Sequence, residues 1–292
     1  MFKAPINSDS TVNVNEITTT NINCLLCDNK SSTKIYELKD LAFSLSKTEK
    51  QETADFKVDS CNKCGFIFTN PQYSNSGYKK LFNTASASFG NSEGRPSEQA
   101  DWIFANIKKN DLLIDIGCSD GRFLFATERY KIDGIGFEID ERNLEIAKNR
   151  AKNFKNKFRF NHLNQVWDVI KSIDLQNVTI TLFHVLEHIP NPKEFLTNLR
   201  NIAKKNWKLV IEVPTIDLYV KNTSLNDISN FYSTQHTSHF SSKTLKYMLN
   251  MCGWKINFDF EMDDYNGYRI ISKPDNKKDN FKFIFEEIKL DS

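Results

Sequence analysis

The residues best suited to chemistry in this 292-residue chain are its six cysteines, its five histidines and a few acids beside glycines. Four cysteines form two equally spaced pairs, Cys24-Leu25-Leu26-Cys27 and Cys61-Asn62-Lys63-Cys64. Two residues between thiolates let a tight turn aim both sulfurs at one ion, and two such turns complete the tetrahedron that Zn²⁺ prefers. Four thiolates leave no open coordination position, so Cys24, Cys27, Cys61 and Cys64 are expected to hold structural zinc. A redox pair is the rival reading of one C-x-x-C. Two copies without a thioredoxin-like strand and helix around them argue against it. The stretch between the pairs exceeds the usual zinc-motif gap, so it is expected to fold back as a strand or short helix.

A second constellation is Asp115-Ile116-Gly117-Cys118-Ser119-Asp120-Gly121. Glycines after a strand let the backbone approach a ligand, and the start of the next helix offers N–H groups. The dinucleotide fingerprint G-x-G-x-x-G is absent, because the spacing here is D-x-G-x-x-x-G. A pyrophosphate would meet Asp115 as a like charge, whereas a cationic cofactor would not. Glu138 ends the run Gly134-Ile135-Gly136-Phe137-Glu138, where a carboxylate can accept from both ribose hydroxyls. Four histidines fall in two groups, His184-x3-His188 around Glu187, and His236-x2-His239. Imidazole suits proton transfer near neutral pH. A second metal centre from these histidines would have only Glu187 to complete it, so they are read as bases or substrate-orienting groups. His162 and Cys252 are read as packing residues.

These groups need elements to position them. Ala100, Ile103, Phe104 and Ile107 mark one buried helical face after Pro96 and Ser97. Short apolar strands are expected at 112–116, 132–137, 158–160, 178–183 and 209–213. Helices are expected at 120–130, around Leu144, Ala147 and Ala151, and from Asn191-Pro192-Lys193-Glu194, which reads as N-cap, proline at N1 and an acidic N3. Strands alternating with helices imply an α/β fold with a doubly wound, Rossmann-like parallel sheet. Residues 214–242 break the rhythm with a polar, aromatic stretch that reads as a lid or substrate insertion. A helix bearing Leu245, Met248, Leu249 and Cys252 follows, ended by Gly253. An antiparallel pair at 254–260 and 268–272 then closes the sheet's edge. Phe281, Ile284, Phe285 and Ile288 have helical spacing and suit a docking helix.

Composition narrows the class. The chain is 39% hydrophobic and 26% charged, which excludes a disordered or fibrous protein for most of its length. No uncharged apolar run approaches the roughly 18 residues a membrane span needs, and residues 1–23 are too polar for a signal peptide. A cytoplasmic address is expected. A net charge of +2 selects no polyanionic partner, so nucleic acid is disfavoured. The expected organisation is a flexible tail (1–22), a small zinc-binding domain (23–75), the α/β domain (76–273) and a C-terminal tail or docking helix (274–292).

The segments Asp115-Ile-Gly-Cys-Ser-Asp-Gly, Gly134-Ile-Gly-Phe-Glu and Phe183-His-Val-Leu-Glu-His-Ile-Pro-Asn-Pro resemble class I S-adenosylmethionine-dependent methyltransferases over residues 97–273. With the cysteine pairs in front, the chain is similar to bacterial methyltransferases that carry an N-terminal zinc-binding segment, many of which modify sugars or sugar nucleotides. The resemblance implies that Gly117, Cys118 and Gly121 hold the methionine portion, that Asp115 helps fix its ammonium, and that Glu138 holds the ribose. It also implies that Phe183 and His184 line the cofactor pocket. Ser119 stands where the commoner loop has glycine, and Asn161-His162-Leu163-Asn164 lacks the acid that usually meets adenine. Methyl transfer from a sulfonium is an in-line displacement, so a hydroxyl acceptor must be aligned and deprotonated. His188, His239, Glu187 and His184 are the candidates for that work. The expected function is methylation of a small molecule, most readily a sugar or nucleotide sugar of surface-polysaccharide or natural-product biosynthesis, in a chain able to form homo-oligomers. The alternatives are an NAD-dependent sugar-modifying oxidoreductase, disfavoured by the glycine spacing, and a non-catalytic zinc-containing nucleic-acid or protein adaptor.

Overall fold

The computed structural model describes residues 19–42, 53–74, 76–78, 94–218, 232–262 and 267–275. Its N-terminal part holds five strands: β1 (Thr19–Thr20), β2 (Ser32–Ala42), β3 (Thr53–Cys61), β4 (Ile67–Thr69) and β5 (Gln72–Tyr73). Phe56 and Val58 alternate inward along β3 and are fully buried, the period-2 pattern of a half-buried strand. β2 and β3 pair antiparallel, Ser32 opposite Cys61. The long stretch between the cysteine pairs therefore contributes two antiparallel strands rather than a single strand or short helix. Most of the expected tail, 1–22, lies outside the described residues, although Thr19 and Thr20 pair with Tyr73 and Gln72.

From α1 (Arg95–Asn106) onward, strands and helices alternate: β6 (Leu112–Ile116), α2 (Arg122–Ala126), β7 (Gly134–Glu138), α3 (Glu141–Ala151), β8 (Phe158–His162), α4 (Val166–Lys171), β9 (Val178–Phe183), α5 (Pro192–Ile202) and β10 (Lys208–Pro214). β11 (Ser238–His239), α6 (Ser242–Met251), β12 (Trp254–Met262) and β13 (Gly267–Pro274) complete the described chain. Seven strands form one sheet in the order β12-β13-β10-β9-β6-β7-β8. β8, β7, β6, β9 and β10 run parallel, and β13 inserts antiparallel between β10 and β12. This is the expected Rossmann-like architecture.

Alternation along β6 divides the core between the two faces. Leu113 packs with Ala100, Ile103, Leu124, Leu144 and Ala147 from α1, α2 and α3. Leu112, Ile114 and Ile116 pack on the other face with Phe195 and Leu199 of α5 and Leu245 and Met248 of α6. Leu25, Leu26, Phe66 and Phe68 of the cysteine segment join that second core. The segment is thus too poor in apolar residues to stand alone and completes its core on the large sheet.

Local signals placed most boundaries. Asn191 accepts from Glu194 N at 3.3 Å at the start of α5. Ser241 and Thr244 form a reciprocal capping box on α6, which ends before Gly253 at φ +80°. The helix expected at 120–130 is interrupted: α2 stops at Ala126, and Glu128–Tyr130 forms a separate 3-10 turn. Buried Thr127 turns its Oγ1 onto the Leu124 carbonyl at 2.6 Å, a local bond that competes with helix continuation. The segment expected as a C-terminal tail or docking helix lies outside the described residues from residue 276 onward. No described helix is long and apolar enough to cross a membrane.

Candidate active site

The strand order reverses between β6 and β9, and in open α/β sheets ligands bind beyond the carboxyl ends at such a point. The two loops that leave there touch. Gly117 has φ +78°, and a Cβ on it would stand 2.3 Å from Val185 Cγ2. Gly121 has φ +84°, and its Cβ would stand 2.8 Å from both Phe125 and Phe160. Both glycines are required by the protein's own packing. Cys118 Sγ is buried against Gly136, where an added Cβ would come within 2.6 Å. Only the Cys118 backbone therefore contributes to the turn.

The backbone of this turn is already engaged. Gly117 N and Cys118 N donate to Phe137 O at 2.7 and 3.0 Å, Gly121 N donates to Cys118 O at 2.9 Å, and Ser119 N donates to Glu138 Oε2 at 2.8 Å. Glu138 Oε1 accepts from Ile139 N and Asp140 N, each at 2.8 Å. The donors expected to face a ligand are instead used within the chain at these four positions. Ser119, at φ +49°, takes the strained conformation that brings its N–H to Glu138.

Asp115 lies beneath the turn, buried, with Thr181 Oγ1 donating to its Oδ1 at 2.7 Å. Burial pushes its carboxyl up to about 7, the Thr181 bond opposes the shift, and the nearby Glu138 charge adds to it. Burial also raises Glu138, against the pull of its three N–H donors. Two acids at the ends of adjacent strands thus resist carrying two uncompensated negative charges.

On the β9 side, Phe183 packs edge-on against Phe123 with ring centroids 4.9 Å apart. His184 follows at φ +55°. Its Nε2 faces Arg95 and lies 3.2 Å from Glu212 Oε1, while its Nδ1 lies 3.4 Å from Glu187 Oε1. Burial pulls this imidazole down, but the Glu187 and Glu212 carboxylates outweigh it and raise the ring to about 9. Glu212, on β10, is fully buried and also receives Arg95, Gln99 and Arg269. Burial works against its ionised form, yet the bond and charge of His184 first, then the Arg269 and Arg95 guanidiniums, hold its carboxyl well below the usual range. Arg269, equally buried, donates to Glu98 at 2.9 and 2.8 Å and to Glu212 Oε2 at 2.7 Å.

The Leu186–His188 turn and the histidine segment meet at Thr237. Thr237 N donates to Glu187 O at 2.7 Å, and its Oγ1 lies 2.7 Å from Ile189 O. This clamp sets His188 and His236 with ring centroids 4.8 Å apart, and His236 and His239 at 5.9 Å. Burial lowers all three rings, His239 to about 3. His236, His239, Ser238 and Thr215 line a narrow cavity, in which Thr215 Oγ1, Ser238 Oγ and His239 Nε2 have no hydrogen-bond partner among the described residues. His162 is elsewhere, its Nδ1 accepting from Asn164 N at 3.2 Å, as fits a structural residue.

The four cysteines converge as their spacing suggested. Cys24 Sγ and Cys64 Sγ are 3.6 Å apart, as are Cys27 Sγ and Cys61 Sγ, and all four sulfurs lie within 4.8 Å of one another. Both turns close alike: Asp28 N donates to Cys24 O and Gly65 N to Cys61 O, each at 2.9 Å, with Asp28 and Gly65 at positive φ. The adjoining sheet runs β11-β4-β3-β2. Its edge strand, Ser238–His239, comes from the expected insertion, of which residues 219–231 lie outside the described residues.

The family described as "Methyltransferase domain" matches residues 93–257, more than half of the chain. The chain belongs to this family. Among curated relatives, the methyltransferase domain is similar to a ubiquinone biosynthesis O-methyltransferase of Coxiella burnetii, 25% identical over 101 residues, covering 35% of this chain and 42% of that protein. A Rickettsia akari protein of the same name is 26% identical over 99 residues, covering 34% and 38%. The chain thus spans less than half the length of these relatives. Among solved structures, the PH0226 protein of Pyrococcus horikoshii OT3 has TM-score 0.50 and 13% identity, covering 67% of this chain and 98% of that one. That likeness shows the fold.

Sequence reasoning did not single out Arg95, Gln99, Glu212 or Arg269 around His184. Glu212 and Arg269 interrupt otherwise apolar strands, Leu209 to Val213 and Tyr268 to Ile271. A charge of each sign inside a buried strand was the available signal, since such charges must pair.

Proposed function

We propose that the chain transfers a methyl group from S-adenosylmethionine to an oxygen of a small polyhydroxylated molecule, a sugar or nucleotide sugar. The observation that carries the cofactor assignment is the pair of buried carboxylates, Asp115 and Glu138, beside a turn whose N–H groups at 117, 118, 119 and 121 are spent within the chain. A pyrophosphate needs donors there and would meet two acids. A ligand with a positive sulfur, an ammonium and ribose hydroxyls needs acceptors, which these acids and the turn's carbonyls supply. Membership of the methyltransferase-domain family supports the same reading.

In this reading Asp115 and the 117–121 turn hold the amino-acid end, Glu138 the ribose, and Phe183 and His184 the wall toward β9. When bound, S-adenosylmethionine supplies a methyl group on a sulfur that leaves with the C–S electron pair as a neutral thioether. Three of the roughly four lone-pair directions of the Glu138 carboxylate are already filled. One ribose hydroxyl, rather than both, donates to it directly. His239 Nε2, unpartnered among the described residues at the cavity beside Thr215 and Ser238, would accept a hydrogen bond from an acceptor hydroxyl and take its proton during transfer. Thr215 and Ser238 offer the further polar contacts that a polyol needs. The O-methyltransferase names of the relatives agree with an oxygen acceptor.

The cysteine cluster is assigned to structural zinc. With Zn–S bonds of about 2.3 Å, a tetrahedral centre places its sulfurs about 3.8 Å apart, close to the 3.6 Å separations here. The division into a zinc-binding segment (23–75), a methyltransferase domain (76–273) with its insertion (214–242), and a cytoplasmic setting belong to this proposal.

Calorimetry with S-adenosylmethionine and NAD⁺ in parallel, then a screen for cofactor-dependent methylation of nucleotide sugars, tests it. Binding of S-adenosylmethionine alone and transfer to such an acceptor is the expected result. Binding of NAD⁺ in its place would overturn the assignment.

A further inference from the structure

Glu187 is 1% exposed, and neither of its carboxylate oxygens has a hydrogen-bond donor among the described residues. Its nearest charged neighbour is His184 Nδ1, an ion-pair contact at 3.4 Å. Opposite lies His188. A carbonyl can only accept, so the 3.1 Å contact between His188 Nδ1 and Gln235 O means that Nδ1 carries the proton. In the neutral ring Nε2 is then the lone-pair nitrogen, and it faces Glu187 Oε1 at 4.0 Å. Two electron-rich atoms are thus aimed at each other across a buried gap. His236 adds a third: one ring nitrogen of His236, one of His188 and one oxygen of Glu187 lie within 4.8 Å of one another.

We infer that Glu187, His188 and His236 form a second metal centre, a two-histidine, one-carboxylate site for a divalent transition-metal ion. A cation between these atoms removes the opposition of lone pair and carboxylate. Bonds of about 2.0–2.1 Å at tetrahedral angles require donor atoms about 3.3 Å apart. Binding therefore requires side-chain rotation to draw the donors in from their present spacing of up to 4.8 Å. The second shell is built: a ligating histidine ordinarily donates its other N–H to a carbonyl or carboxylate, as His188 does to Gln235. Thr237, fully buried, ties the strand entered from His236 to the carbonyls of Glu187 and Ile189, which fixes the two segments relative to each other. Two imidazoles with one carboxylate suit zinc, iron, cobalt or nickel and disfavour magnesium and calcium. Three protein ligands leave positions open, unlike the four-thiolate cluster.

The site stands on this geometry alone, while its role rests on the methyl-transfer reading. An open position beside the His236, Ser238 and His239 cavity would take the acceptor oxygen, and coordination would lower the pKa of its hydroxyl. The transfer stays balanced: the hydroxyl loses its proton to His239, the oxygen gains the methyl carbon, and the sulfur keeps the electron pair.

The full chain, stripped of metal under reductant and titrated with Co²⁺, separates the two centres without cofactor or acceptor. Thiolate-bound cobalt gives intense charge-transfer absorption, and a nitrogen- and oxygen-bound ion only weaker visible bands. Wild type is expected to take up both kinds of ion. Glu187→Gln and His236→Gln should each lose the weaker species and keep the thiolate bands, which report that the chain is folded. Because the two substitutions lie on different segments, one serves if the other disturbs folding. Wild type that binds only the thiolate-coordinated ion, or a folded variant that retains both, overturns the site. Metal uptake without methyl transfer would overturn the proposed activity and leave the site standing.

Discussion

His239 pairs with Ile67 across the β11–β4 ladder, so the strand that carries a cavity-lining imidazole is bonded to one that begins three residues after Cys64. Thr69 N and Oγ1 extend the connection to the carbonyls of Thr237 and His236, at 3.1 and 2.6 Å. The cysteine cluster therefore positions the histidine segment. On the zinc assignment, metal removal by chelator or Cys64→Ser should release hydrogen-exchange protection in β3, β4 and β11 first, because structural zinc contributes on the order of 10 kcal/mol in apparent binding free energy. Methyl transfer should vanish while β6, β7 and β9 stay protected. Unchanged protection in β11 after metal loss would show the cluster has no such role.

Glu138 accepts three backbone N–H groups from two loops. Glu138→Gln keeps the shape but turns an amide NH₂ toward at least one of those donors. Leaving a buried donor unsatisfied costs about 1–3 kcal/mol, so the melting temperature should fall. Affinity for S-adenosylmethionine should fall about 10-fold or more, a factor corresponding to about 1.4 kcal/mol. Calorimetry on the folded variant checks this, and wild-type affinity would remove Glu138 from the cofactor site.

How much of this was legible beforehand differs by element. The parallel strands, such as Val178–Phe183, were readable because a strand buried on both faces is a continuous apolar run bounded by turns. The cysteine cluster was readable because its spacing is itself the geometry. The short helix Val166–Lys171 went unread: its buried stripe is only Val166 and Ile170, less than a periodicity argument needs. β11 was equally hidden, since two residues make no pattern and its partner lies about 170 residues earlier. The His184 network escaped for the same reason, because Arg95, Glu212 and Arg269 meet only after β10 and β13 pair.

Asp115 has a folded-state pKa of about 7, raised first by burial. Its unfolded value is near 4. The folded, cofactor-free chain therefore keeps its proton while the unfolded chain loses one, and stability should fall by about 1.4 kcal/mol per unit as pH rises from about 4 to about 7. A cationic ligand favours the carboxylate, so its binding should release a proton below that pKa and tighten up to the order of tenfold per unit between pH 6 and 7, levelling above. Calorimetry in buffers of differing ionisation enthalpy measures the proton. Asp115→Asn should weaken both dependences, leaving the part that Glu138, also raised by burial, contributes, and a variant that retains the full proton release would assign it to another group.

His239 Nε2 has no partner among the described residues, whereas its backbone is held by β4. His239→Gln should therefore spare folding and affinity for S-adenosylmethionine while lowering turnover by about 10² to 10⁴, the range for general acid–base catalysis. Rapid-quench measurement of the methyl-transfer step separates this from slow product release. Wild-type transfer in a folded variant would shift the proton's destination elsewhere.

Arg269 and Glu212 are both fully buried and joined through Nε and Nη2 of the guanidinium at 2.7 and 2.6 Å. Truncating either removes one partner of a buried charge while others remain, Glu98 for Arg269 and Arg95 with His184 for Glu212, so the cost should fall below the roughly 3–5 kcal/mol of a charge left wholly unpaired in a core. Arg269→Met and Glu212→Gln should each lower the denaturant midpoint, and the double variant should be less destabilised than the sum, since the two single changes remove one shared interaction. Arg95 and Gln99 also point at Glu212, however, and His184 rests between Arg95 and Glu212. Arg269→Met leaves those contacts in place, so its surviving folded fraction should retain S-adenosylmethionine binding. Glu212→Gln removes the acid that orients His184 and should weaken binding as well as stability. Equal effects of the two substitutions on affinity, measured on folded protein, would mean that the network acts only as a core ion cluster and not through His184.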